Sequence, residues 1–135
     1  MNREDLYKCR DIEMGIKSAM VVYEIKFAQV TKTTQHLSDM PKSIGKIHYD
    51  LEDLIDYYRD KIVKKQKEAE ELIKAIESQF ELMRDERYVS ILRYYYIGSL
   101  SIKEVAGKMG YEEKYTNTLK TKAIEEFEKH HTKSN

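Results

Sequence analysis

The chain has 135 residues, enough for one domain or for one extended element beside a small domain, and too few for two large cores. Charged side chains make up 36% of it, against only five Gly and one Pro, a mixture that suits long exposed helices and argues against a turn-rich sheet protein. Lys plus Arg and Asp plus Glu balance at 24 each, so no net field steers the molecule toward nucleic acid or an anionic membrane, and any nucleic-acid contact must come from a local patch.

Taken in chain order, Leu6, Cys9, Ile16, Met20, Tyr23, Phe27 and Val30 recur at helical spacing, with Glu13 in the one polar slot. They predict a long first helix with a heptad seam. The charged residues from Arg3 to Arg10 do not read as a signal peptide, and no apolar stretch approaches the roughly 20 residues that span a bilayer. A lone cysteine, Cys9, cannot form an intrachain disulfide; its seam position predicts a small buried side chain, and a reducing cytoplasm is the expected location. Thr31, Thr33, Thr34 and the Ser38-Asp39-Met40-Pro41 turn disfavour continuation, so the helix should fail around Thr31, with a connector near 31–43.

A second helix carries Ile44, Ile47, Leu51, Leu54, Tyr58, Ile62, Ala69, Leu72, Ile76 and Met83, with Lys65 and Gln79 in seam slots. It should reach about Asp85, on the order of 60 Å of helix. The two four-residue steps from Leu54 to Tyr58 to Ile62 read as a stutter that locally unwinds supercoiling. Because the first helix is the shorter, the stripe from Leu72 to Met83 should remain uncovered and seek a partner, either the C-terminal part of the same chain or a second copy. A homodimer is the preferred expectation.

Asp85 is a suitable N-cap for a helix through Tyr96 or Ile97, and Gly98 is placed for a left-handed C-cap. Ser101 and Glu104 form a capping box that starts a short helix ending at Gly110, and a last helix is expected from about Glu112 to Lys129. The predicted fold is all-α: a long antiparallel, coiled-coil-like helical hairpin over 1–84, followed by a small three-helix helix-turn-helix domain over 85–131. In that domain Ser101, Glu104, Ala106, Gly110 and Leu119 are structural: cap, close helix crossing, turn and inner stripe, the last shared with Ala123, Ile124 and Phe127. Lys114, Asn117, Thr118, Lys120 and Thr121 are the candidate DNA-facing residues, with Asn117 suited to adenine and Thr118 to a phosphate or a thymine methyl.

The run Ile91-Leu92-Arg93-Tyr94-Tyr95-Tyr96-Ile97, then Leu100-Ser101, Glu104-Val105-Ala106 and Met109-Gly110-Tyr111, resembles the region 4 signature of sigma-70 class factors. Together with the preceding hairpin and the connector residues Thr31-Lys32-Thr33-Thr34 and Ser38-Asp39-Met40-Pro41, nearly the whole chain is similar to small phage and prophage proteins of Gram-positive bacteria related to the ArpU and RinA transcriptional regulators. The resemblance implies activation of late phage genes in a bacterial host, with the last helix entering promoter DNA. Four positions depart from the pattern: Glu112 and Glu113 bring acids that repel phosphates, Thr116 replaces a branched apolar core residue, and Tyr95 stands where Arg is frequent.

Other chemistry finds little support. The four histidines, His36, His48, His130 and His131, lack metal-ligand spacing, and His36, Ser38 and Asp39 read as turn residues rather than a triad. Dispersed glycines exclude a phosphate loop. No enzymatic activity, metal or cofactor is expected. Of the three Tyr94-Tyr95-Tyr96 side chains, Tyr96 is expected in the core. The leading functional expectation is a DNA-binding transcription regulator whose hairpin sets dimer geometry, with promoter duplex and RNA polymerase as candidate partners. One alternative is an adaptor docking on polymerase or another regulator, and a further one a structural coiled-coil or small-terminase-like protein.

Overall fold

The computed structural model describes the backbone of residues 1–34 and 42–131, and the side chains of residues 1–31 and 51–130. Among the described residues the chain is all-helical and has no strand: α1 (Arg3–Thr34), α2 (Lys42–Phe80), α3 (Glu86–Leu92), a π-helical segment (Arg93–Ile97), α4 (Ile102–Met109) and α5 (Glu113–His131). None of its helices is long and apolar enough to cross a membrane.

α1 continues past Thr31 to Thr34. A threonine costs a helix no more than about 0.7 kcal/mol relative to alanine, too little to stop one already propagating. The remainder of the expected connector, 35–41, lies outside the described residues. α2 stops at Phe80 rather than near Asp85, because its end tightens into three-residue turns: Leu82 N donates to Gln79 O at 3.0 Å and Met83 N to Phe80 O at 3.0 Å. Asp85 then adopts an extended conformation and caps α3, its carboxylate accepting from Arg87 N at 2.9 Å.

Two compact units emerge, Met1–Met14 with Glu68–Asn135, and Gly15–Lys67. The boundary expected between residues 84 and 85 falls inside the first of them. In that unit Leu6 and Cys9 of α1, Ile76 and Phe80 of α2, and Ala123, Ile124 and Phe127 of α5 share one core with Val89, Leu92 and Tyr96. The stripe ending at Met83 is therefore covered by the chain's own first and last helices, and the case for a second copy does not rest there. Tyr96 is in the core as expected, and burial pushes the Cys9 thiol up to about 11.

In the second unit the inward residues are Ile16, Ala19 and Ile55. There a Cβ on Gly15 would stand 3.6 Å from Lys65 Nζ, one groove joins Met20 and Tyr23 to Ile62 and Val63, and a second joins Phe27 and Val30 to Ile55. Three seam assignments shift by one residue. Ile55 rather than Leu54 is buried, so Leu51, Ile55, Tyr58, Ile62, Lys65 and Ala69 alternate four and three apart, and the two consecutive four-residue steps expected from Leu54 to Ile62 are absent there. Ile12 and Ala19 take the slots expected for Glu13 and Met20, which leaves Met20 and Phe27 on the flank, 42% and 52% exposed.

Candidate nucleic-acid interface

The C-terminal helices begin at a cap and a wide turn. Ser101 Oγ accepts from Glu104 N at 3.1 Å while Ser101 N donates to Glu104 Oε1 at 3.0 Å, completing the expected capping box at the start of α4. α4 ends at Gly110, whose φ of 73° is the left-handed value that the turn requires, and Tyr111 N donates to Ala106 O at 3.0 Å.

Gly98 is not left-handed, contrary to expectation: its φ is −76°, and Ser99 takes the positive value of 58°. The cause is the π turn before it. Gly98 N reaches back five residues to Arg93 O at 2.8 Å, and a Cβ at Gly98 would lie 2.7 Å from Tyr94 O. Glycine is needed there for space rather than for its sign of φ.

α4 and α5 pack around Val105 and Leu119, with Ile91 of α3 closing this second cluster, and Ala106 of α4 is buried as well. Thr116 is fully buried, and its hydroxyl donates to Glu112 O at 2.8 Å, so the departure from an apolar residue leaves no stranded polar group. The inner stripe continues through Ala123, Ile124 and Phe127, all buried.

The opposite face of α5 exposes Lys114, Asn117, Thr118 and Thr121 together. Both threonine hydroxyls are turned back, Thr118 to Lys114 O at 3.1 Å and Thr121 to Asn117 O at 3.2 Å. Thr118 has therefore spent its proton, which argues against the phosphate role and leaves its methyl for an apolar contact. Lys120 differs from the other four. It is half-buried, with its ammonium 4.1 Å from the centre of the Tyr95 ring.

Several neighbours escaped the sequence reading. Tyr115 is 44% exposed on α5, its ring edge-on to Tyr111 and its hydroxyl accepting from Arg87 Nη1 at 3.3 Å. Its position one helical turn before Leu119, on the edge of the outward face, was the available signal. Arg10 of α1 gave none: its guanidinium stacks 3.8 Å from the Tyr95 centroid while Nη1 donates to Tyr95 O and, at 3.0 Å, to Leu100 O. Other arginines are spent on acids. Arg93 holds Glu77 through bonds of 2.8 and 2.7 Å, keeping that carboxyl below its ordinary range, and Arg87 does the same to Asp85.

Beside α5 a cleft of about 450 Å³ opens, bounded by α1, the π segment and α5. Among the described residues no group of three or more His, Cys, Asp and Glu side chains is placed to hold a metal ion. Comparison with known proteins gives no match: no family model, no curated protein and no solved structure matches the chain.

Proposed function

We propose that this chain is a transcription regulator that binds double-stranded promoter DNA through a helix-turn-helix made of α4 and α5, with α5 as the reading helix. The observation that carries the reading is the division of α5 into two faces behind a left-handed Gly110. Leu119, Ala123 and Phe127 are buried on one side, and Lys114, Asn117, Thr118 and Thr121 are exposed on the other. On this reading α3, α4 and α5 form the three-helix domain, α1 and α2 the hairpin, and the likeness to sigma region 4 and to ArpU- and RinA-related phage regulators describes its kind. It acts in the cytoplasm of a bacterial host and needs no cofactor or catalysis.

The hairpin serves dimerisation. The unit Gly15–Lys67 buries few apolar side chains yet exposes Met20, Val21, Ile25, Phe27, Leu54, Tyr57 and Val63, an arrangement that two helices alone cannot bury. Glu24 and Arg59 rim the groove that contains Met20, and Asp56 and Arg59 the one that contains Phe27, so opposite charges meet when two copies pack groove to groove. A two-fold axis there would set half-site spacing on DNA.

The test is selection of duplexes from a random-sequence pool, followed by titration of the winner at several salt concentrations. Asn117→Ala should cost about 1 to 3 kcal/mol and relax preference at one base pair, and Lys114→Ala should lower the salt slope by about 1. Failure to enrich any sequence would overturn the reading. The exposed Glu112 and Glu113 at the start of α5 favour a second one, docking of this acidic end on a basic face of RNA polymerase. Polymerase retention without DNA that is lost in Glu112→Lys would select it.

A further inference from the structure

The α5 face assigned to DNA is bordered on one side by the first turns of α1, across the cleft of about 450 Å³. Its walls include Tyr7, Arg10, Asp11, Tyr95, Lys120 and Glu125. Tyr95 belongs to the π-helical segment, a form that recurs where a helix has been distorted for a purpose beyond packing. Two cations are held on this one ring, Arg10 at 3.8 Å and Lys120 at 4.1 Å from its centroid.

Their donors are not all used. Arg10 spends only Nη1, on the carbonyls of Tyr95 and Leu100, and its Nε and Nη2 meet no acceptor among the described residues. The Lys120 ammonium has the ring beneath it and no hydrogen-bond acceptor among the described residues. Two like charges gathered on one aromatic ring repel each other, and an anion that accepts from both relieves that repulsion. Thr121, one residue on, is already on the exposed face, so a strand running past α5 comes within reach of both cations.

We propose that Arg10 and Lys120 together grip one backbone phosphate of the DNA, so that α1 is part of the nucleic-acid interface and Lys120 positions the duplex rather than reading a base. This rests on the DNA-binding reading above. Asp11 and Glu125 line the same cleft and oppose a phosphate, which makes the strength of the grip adjustable by their charge.

The experiment is a titration of the full chain against the pool-selected duplex over a range of salt. Lys120→Gln keeps a stem over Tyr95 but removes the charge; it should lower the salt slope by about 1 and leave the sequence preference unchanged. Lys120→Arg should restore the slope, and Glu125→Gln should tighten binding several-fold at low salt. A duplex that binds wild type and Lys120→Gln with the same slope overturns this inference and leaves the DNA-binding reading standing. A wild type that enriches no duplex overturns both. Inorganic phosphate supplies the other arm: saturable binding without DNA, abolished by Lys120→Gln while the DNA salt slope stays unchanged, would make the cleft a site for a free anion and overturn the backbone assignment.

Discussion

The side-chain amide of Gln79 donates to the carbonyl oxygen of Phe127 at 2.7 Å, joining α2 to α5, and also reaches Met1 O at 3.2 Å. A polar residue thus occupies a seam slot because two main-chain acceptors meet there, one from each end of the chain. Gln79→Leu keeps the volume but removes both hydrogen bonds, and should cost about 1 to 3 kcal/mol. Gln79→Glu has nearly the same shape but sets a carboxylate against two carbonyls, so its loss should be larger. Urea unfolding of both variants checks the order, and equal losses would mean that shape rather than the donated hydrogen bond matters.

Three glycines separate three physical demands. Gly107 lies within α4 with nothing within 4 Å of an added Cβ, so Gly107→Ala should stabilise by about 0.5 to 1 kcal/mol. At Gly110 there is space as well, but φ is 73°, and Gly110→Ala should cost about 1 to 2 kcal/mol. Gly98→Ala meets the Tyr94 carbonyl at 2.7 Å and must displace main chain, which makes it the most damaging of the three. Thermal melts should rank them in that order.

Glu77 and Arg93 make stability depend on pH in a definite direction. The Arg93 hydrogen bonds hold the folded Glu77 carboxyl below its ordinary value, so the unfolded chain takes up the proton first as pH falls. The contribution is fully present above the unfolded value of about 4.3 and is lost as pH drops through the folded one. Side-chain exposures of 36% and 44% mean that solvent screens the pair. Its worth is therefore about 1 kcal/mol or less. Wild type should exceed Glu77→Gln in melting temperature at neutral pH, and the gap should close in acid; a gap that persists would assign it to packing.

How far the sequence could be read depended on how local each cause was. Ser101 and Glu104 are three residues apart and satisfy each other, so the cap was visible without a structure, as was the turn at Gly110. Leu54 and Ile55 are both apolar neighbours, and only packing chooses which faces inward; that choice sets whether the seam alternates regularly from Leu51 to Ala69. Ser99 rather than Gly98 became left-handed because a five-residue turn formed upstream. Arg10 lies 85 and 90 residues from the carbonyls that it binds, beyond any periodicity or motif, so the α1 side of the cleft was invisible. On α5 the exposed and buried faces followed helical spacing, but Lys120 fell on the edge between them, where a long side chain can turn either way.

The proposed dimer makes the last prediction. Met20, Phe27 and Val63 flank the α1–α2 grooves and are 42%, 52% and 45% exposed, so groove-to-groove packing would bury all three in each copy. Burying a large apolar side chain is worth about 1.5 to 3 kcal/mol. Each should therefore contribute about tenfold or more to the dimer constant. Phe27→Glu inserts a charge into that contact and should convert a dimer to a monomer in sedimentation at micromolar concentration, with far-ultraviolet circular dichroism unchanged because Phe27 supports no core within its own chain. Lys61→Glu, a charge change at another exposed position of α2, serves as the comparison and should leave association as it is. A wild type that sediments as a monomer, or a Phe27→Glu variant that still pairs, would remove the hairpin from the account of half-site spacing and leave each α5 to bind DNA alone.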